Sequence, residues 1–199
     1  MIIIGICGQS GSGKTTVGTF IKEIFSAYID CDRISREVTQ KGSECLFELA
    51  EEFGQEILLE DGSLDRRKLG SIAFGNSDKL KALNLITHKH IIERINLMIK
   101  DFSLLGESVV FLDAPTLFES GLDKRCDYIL SVLADDEKLI ERIKLRDGKN
   151  EEEAKLRLSS QKSKEFLRNK SDFVIVNNGT LDDLKESTKM FIKKVEQIL

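Results

Sequence analysis

Residues Gly8-Gln9-Ser10-Gly11-Ser12-Gly13-Lys14-Thr15 fill every fixed position of the pattern G-x-x-x-x-G-K-[ST]. What flanks them restricts the fold. Ahead lies the apolar run Ile2-Ile3-Ile4-Gly5-Ile6-Cys7, which reads as a buried β-strand. Behind, Val17, Phe20, Ile21, Ile24 and Phe25 recur at helical spacing and predict an amphipathic helix. Strand, glycine loop and helix in this order are the context that makes the pattern a phosphate site. Through Gly8, Gly11, Ser12 and Gly13 successive backbone N–H groups can turn inward on an anion. The new helix, beginning with Lys14, Thr15 and Thr16, adds its positive end. In such a loop the lysine, here Lys14, reaches the β- and γ-phosphates, and the hydroxyl of Thr15 sits on Mg²⁺. A chance Lys-Thr after a glycine turn would lack that setting, so the chain is expected to hold a nucleoside triphosphate.

The chain has 199 residues, enough for a sizeable core in one domain with insertions. Its formal net charge of -4 gives no general attraction to nucleic acid or to an anionic membrane. Phosphate binding must therefore come from a local cluster of basic residues. No apolar run approaches a membrane span, and the N-terminus enters a strand directly, with no basic segment or cleavage site. A cytoplasmic monomer or weak homo-oligomer is the expectation. Cys7, Cys31, Cys45 and Cys126 never form C-x-x-C and read as reduced, partly buried thiols.

Further apolar runs, Ser108–Asp113, Tyr128–Leu133 and Phe173–Val176, predict strands; Ile29–Asp32 reads as a short strand end with two carboxylates at its tip. Helical patterns fall over 44–53, with Leu46, Phe47, Leu49, Ala50 and Phe53 on one face, and over 65–74 and 78–100. In the last of these Leu83, Ile91, Ile92, Ile95 and Ile99 are expected toward a core. Others cover 136–147, 151–168 and the C-terminal stretch, where Leu184, Thr188, Phe191, Val195 and Ile198 line one side. Apolar strands separated by helices imply an α/β fold, a parallel five-stranded sheet with helices on both faces. The expected core is about 1–32, 106–135 and 169–199. Residues 33–105 read as an inserted, mostly helical, substrate-facing subdomain, and 136–168 as a charged lid.

Acids and bases beyond the loop decide what such a site does. Asp30 and Asp32 follow a strand, where open α/β sheets bind ligands, so either could act as general base or hold the Mg²⁺ shell. A solvated turn explains them equally. Asp113 ends an apolar strand like the second acid of P-loop enzymes, or it caps a turn. Arg142 and Arg146, four apart on one helix, could close over transferring phosphates. Surface pairing with Asp135, Glu141 and Asp147 is the plainer account. Asn169-Lys170-Ser171-Asp172 matches the guanine-reading N-K-x-D pattern, but it precedes its strand and no Asp-x-x-Gly accompanies it. His88 and His90 are two apart and do not share a helical face, which argues against a metal pair.

With these residues in view the chain resembles the dephospho-CoA kinase family from end to end. Beyond the loop, the matching segments are Asp30-Cys31-Asp32 with Arg36 and Gly42, Asp61-Gly62 with Leu64, Arg66, Leu69 and Phe74, and His88 with Ile91. Pro115–Glu119, Arg142, Arg146-Asp147, Gln161, Asp172 and Asn178-Gly179 complete the match. The resemblance implies a P-loop kinase fold, with 33–105 on the CoA side, and transfer of the ATP γ-phosphate to the ribose 3′-hydroxyl of dephospho-CoA, with Mg²⁺. It makes Asp32 the base, Lys14, Arg146 and Arg142 the phosphate clamp, and Thr15 a Mg²⁺ ligand, with Asp113 or Asp30 as its companion. Asn178 and Gly179 would pack on the adenine, and Arg36, His88 and Glu119 would lie near the acceptor. Three departures stand out: Lys89 where the family has proline, Thr116 where it has leucine, and Val176 where an acid is common. The same loop on another acceptor, a nucleoside, nucleotide or shikimate, is the competing reading, and a switch or assembly ATPase the remote one.

Overall fold

The apolar run ahead of the glycine loop forms β1 (Ile2–Gly8), buried from Ile4 onward. The computed structural model describes all of residues 1–199. Four further strands join β1: β2 (Tyr28–Asp30), β3 (Val109–Asp113), β4 (Tyr128–Leu133) and β5 (Phe173–Val176). Their order is β2-β3-β1-β4-β5, with parallel pairing of β1 to β3 and to β4, and of β4 to β5. Near-continuous apolar strands such as Val109–Leu112 suit a parallel sheet covered on both faces.

Nine helices accompany the sheet. In order they are α1 (Lys14–Lys22), α2 (Cys31–Val38), α3 (Glu44–Phe53), α4 (Arg66–Phe74), α5 (Ser77–Leu104), α6 (Asp136–Asp147), α7 (Glu151–Ser159), α8 (Lys164–Asn169) and α9 (Leu181–Ile198). The chain divides into two compact units, residues 1–29 with 102–199, and residues 30–101. No helix is long and apolar enough to cross a membrane.

In the larger unit, period-two alternation along β1 sorts its side chains onto the two faces of the sheet. Ile4 and Ile6 join Val17 and Ile21 of α1, Phe111 of β3, and Leu184, Phe191 and Val195 of α9 in one core. Phe111 anchors it, 5.1 Å from the Phe25 ring and 6.4 Å from Phe191. Each such buried side chain contributes roughly 1.5–3 kcal/mol by leaving water. On the opposite face a Cβ on Gly5 would come within 2.7 Å of Cys126 Sγ and 2.9 Å of Leu117 Cδ2. The out-of-place guanine-like motif turns out to be joinery there. Asp172 Oδ2 accepts a bond from Ile129 N at 2.8 Å, and Ser171 donates to Leu167 O at the same distance. The smaller unit has its own core of Cys45, Leu49, Phe53, Ile57, Leu69 and Ala73.

Several elements differ from the sequence reading. α1 ends at Lys22, which leaves Ile24 outside the helix and 55% exposed. On α3, Cys45 rather than Phe47 is buried, because Cys45, Leu49 and Phe53 fall on one i, i+4, i+8 row. Of the residues expected inward on α5, only Ile95 is fully buried, and Ile198 lies at the exposed end of α9. The predicted helix 151–168 is two helices. Ser163 caps α8 by accepting from Phe166 N at 3.1 Å, and the chain between Ser159 and Lys164 is free to leave the helical path. None of the four cysteines forms a disulfide; burial pushes Cys7 and Cys45 up to about 11 and Cys126 up to about 12.

Candidate active site

The loop between β1 and α1 is held from behind. Gly11 and Gly13 take left-handed backbone angles, φ +84° and +95°, which only glycine adopts without strain. Asn177, buried after β5, donates from Nδ2 to Ser12 O at 2.8 Å, and Arg142 donates from Nη1 to Gly11 O at 3.2 Å and from Nη2 to Asn177 O at 3.0 Å. A peptide's carbonyl and the next N–H point in opposite directions, so tying Ser12 O to Asn177 turns Gly13 N–H toward the loop's open side. Val17 N is already bonded to Gly13 O at 3.1 Å. The N–H groups of Lys14, Thr15 and Thr16, one turn earlier, remain at the helix's positive end. The result is a concave array of backbone donors matched to a polyphosphate. Ser12 contributes this carbonyl anchor, while its own Oγ is buried beneath the loop without a partner.

Lys14 pairs with Asp113, whose other oxygen accepts the Tyr28 hydroxyl at 2.7 Å. Both charged side chains are largely buried, 14% and 10% exposed, so neither stands uncompensated. The parallel register that sets Asp113 beside Ile6 brings this acid to the mouth of the loop. It is therefore an ion-pair partner rather than a turn cap.

From α6, Arg142 is a brace on loop carbonyls and makes none of the surface pairs weighed above. Arg146 is different. Its Nη2 lies 3.1 Å from Ser10 Oγ, and it pairs side-on with Asp147. That pair raises the Arg146 guanidinium further and holds the Asp147 carboxyl below its usual range. Gln161, between α7 and α8, accepts a bond from Ser10 N at 3.0 Å. Asn178 clasps Asp135, accepting from its N at 2.9 Å and donating to its carboxylate at 2.8 Å, and so fixes the entry to α6. Gly179 leaves room for the capping box of α9, since a Cβ there would fall 2.4 Å from Asp183 Oδ2. Glu119 lines a cleft of about 270 Å³ with Gln9, Thr116, Phe118, Gln161 and Lys162.

The remaining candidates belong to the smaller unit. Asp30 is the N-cap of α2, accepting from Arg33 N at 3.0 Å, so the chain coils at once and Asp32 lies in a helical first turn rather than on a strand tip. Asp32 and Arg36, four residues apart, share the exposed face of α2, while Cys31 and Ile34 are buried. His88 is half-buried on α5. Its neighbour His90 is buried, with Nε2 3.2 Å from Glu48 Oε1 but poorly aligned for a hydrogen bond. Lys89 donates to that same Glu48 oxygen at 2.9 Å; this bond lowers the Glu48 carboxyl and raises the lysine. With lysine instead of proline at this position, α5 runs unbroken from Ser77 to Leu104. What sequence reasoning missed is Asn177, and the contact of Gln161 with Ser10. Each acts on a loop more than a hundred residues away, and no local pattern reports that.

The family profile described as dephospho-CoA kinase matches residues 2–183. The chain belongs to the dephospho-CoA kinase family. A Bacillus cereus dephospho-CoA kinase is 39% identical, with 97% of this chain and 96% of the relative covered. One from Carboxydothermus hydrogenoformans is 36% identical over 96% and 93%. Among solved structures, a crystal structure from Thermus thermophilus superposes with a TM-score of 0.80 at 32% identity, covering 97% of both chains. The dephospho-CoA kinase of Campylobacter jejuni, at 24% identity and TM-score 0.75 over 98% and 97%, shows the same fold. Shikimate kinase from Acinetobacter baumannii shares that fold more distantly, with TM-score 0.54 and 14% identity over 99% and 94%.

Proposed function

We propose that this chain transfers the γ-phosphate of ATP to the ribose 3′-hydroxyl of dephospho-CoA, giving coenzyme A and ADP. The observation that carries the reading is the family match over residues 2–183. The loop geometry supports the donor half: inward N–H groups for the phosphates, Lys14 beside them and Arg146 next to Ser10. Asp32 serves as the general base. It takes the 3′-hydroxyl proton as that oxygen bonds to the γ-phosphorus and the bond to the bridging oxygen breaks, leaving ADP. Lys14 exchanges Asp113 for phosphate oxygens, and Arg146 neutralises charge that grows on the transferring group. Arg142 acts through the loop it braces.

The donor set fits a Mg²⁺ ion carried in by ATP. No cluster of three or more metal-ligating side chains exists, whereas Mg²⁺ typically takes one or two protein oxygens and fills the rest with phosphates and water. Thr15 would supply a hydroxyl, and Asp113 suits the outer shell better than Asp30, whose carboxylate is used as a cap. Held there, the ion would supply positive charge that screens the phosphates during transfer. Residues 33–105 are the acceptor side, with Arg36 and His88 contributing, and Glu119 bordering the acceptor from the core. Residues 136–168 are the lid, and Asn178-Gly179 borders the adenine. The reaction belongs in the cytoplasm and needs neither nucleic acid nor membrane.

The test is an acceptor panel. ADP formation should depend on dephospho-CoA, and phosphorus NMR should place the new phosphate on the 3′-oxygen. Turnover of shikimate or a nucleoside without turnover of dephospho-CoA would reject the reading, as would ATP hydrolysis that no acceptor stimulates.

A further inference from the structure

Asp147, the last residue of α6, carries two guanidiniums on one carboxylate. Arg146 donates from Nε to Oδ1 at 2.8 Å and from Nη2 to Oδ2 at 2.9 Å, while Arg157 of α7 donates from Nη1 to the same Oδ2 at 2.9 Å. The carboxylate is the more enclosed partner, 22% exposed against 55% for Arg146. Arg146 Nη2 also reaches Ser10 Oγ at 3.1 Å, so the guanidinium is fixed at two points, one of them on the phosphate loop. A side-on pair uses the Nε edge of the fork and leaves Nη1 outside it. Without the carboxylate, Arg146 and Arg157 would be two like charges on long, mobile stems.

We propose that Asp147 is a positioning residue for phosphoryl transfer, holding Arg146 side-on beside Ser10 so that its remaining edge meets the transferring phosphate. Arg157 helps to keep that carboxylate ionised and in place. The inference rests on Arg146 as a phosphate ligand. It adds that the ligand works because its geometry is set before the nucleotide arrives. Prepaid orientation of this kind acts on the rate more than on ground-state binding. A purely structural account is available too: Asp147 could do no more than staple α6 to α7 through Arg157.

Steady-state kinetics of the full chain with ATP and dephospho-CoA separate the two accounts. Asp147→Asn should lower kcat about tenfold or more, with KM for ATP kept within about threefold. In an Arg146→Ala background the same change should cost less than about twofold, because its target is gone. Asp147→Ser provides the same comparison if the asparagine carbonyl still holds the guanidinium or the first variant folds poorly. A kcat within about twofold of the parent for both Asp147→Asn and Asp147→Ser would overturn the proposal, as would an undiminished loss in the Arg146→Ala background. Arg146→Ala alone tests the underlying reading. If it leaves kcat and KM unchanged, Arg146 is not a phosphate ligand and both fall; if it is costly while neither Asp147→Asn nor Asp147→Ser is, only the positioning role fails.

Discussion

At Gly13 a methyl group would stand 2.3 Å from Asn177 Nδ2, on a backbone with φ +95°. Strain and collision act together there, on the residue whose N–H is turned to the phosphate side, so this position tolerates glycine alone. Asp32 presents a contrasting case, set on an exposed helical face together with Arg36. The role proposed for it is chemical, and its removal should be chemical in effect. Asp32→Ala is expected to reduce kcat by about 10²–10⁴-fold, the usual contribution of a positioned base. ATP affinity and melting temperature should stay near those of the parent. Equilibrium binding of a fluorescent ATP analogue alongside single-turnover rates checks this, and turnover within a few fold of the parent would remove Asp32 from the mechanism.

At the scale of elements, α6, α7 and α8 are joined to the loop by few polar contacts, none of them fully buried. Arg146 to Ser10, Gln161 to Ser10 N and Arg142 to Gly11 O are the polar links, while Leu139, Ile143, Ala154 and Leu167 are the buried anchors. Elements with few buried contacts open at low free-energy cost. Exposed arginines cannot exclude water from a transferring phosphate without moving. Hydrogen exchange over residues 136–160 should therefore slow by about tenfold or more when a nonhydrolysable ATP analogue and dephospho-CoA are both bound. α9, with its capping box and buried Phe191, should change little. Equal protection of the lid with and without ligands would show that it does not close. The two arginines behind this expectation were legible as a pair but not as individuals. Spacing puts Arg142 and Arg146 on one face, yet one braces carbonyls and the other reaches a hydroxyl and a carboxylate. Likewise Gln161 in an uninterrupted 151–168 helix would be an ordinary surface residue. The break at Ser163 is what releases it toward Ser10.

For the whole molecule, the buried thiols make a prediction about alkaline stability. Burial raises Cys7 and Cys45 from 9.0 to about 11, and Cys126 to about 12. Below pH 9 both folded and unfolded chains hold these protons, so no pH dependence arises from them. Above it the unfolded chain loses the protons while the folded chain keeps them, and stability falls as pH rises toward 11–12. Melting temperature measured from pH 8 to 11 should decline more steeply in the parent than in Cys7→Ala or Cys126→Ala. Parallel slopes would mean that lysine titration alone is responsible. Ellman's reagent near pH 8 should likewise label Cys7 and Cys45 only after denaturation.

The sequence by itself determined whatever is written over a few neighbouring residues. The strand, loop and helix around Gly8–Thr15, the apolar strands and the amphipathic face of α9 all follow from side-chain periodicity and glycine's backbone freedom, which are local properties. Family membership followed as well, because matched segments run the length of the chain. Tertiary structure alone decided which partner each polar group found. Asp113 takes Lys14 because a parallel register brings β3 alongside β1. Asn177 reaches Ser12, 165 residues earlier in the chain, because β5 ends behind the loop. Arg142 becomes a brace because Gly11 O and Asn177 O lie within reach of one guanidinium. Hydrogen-bond partners are chosen by distance in space, and a linear pattern carries that distance only for residues within about one helical turn or along one strand.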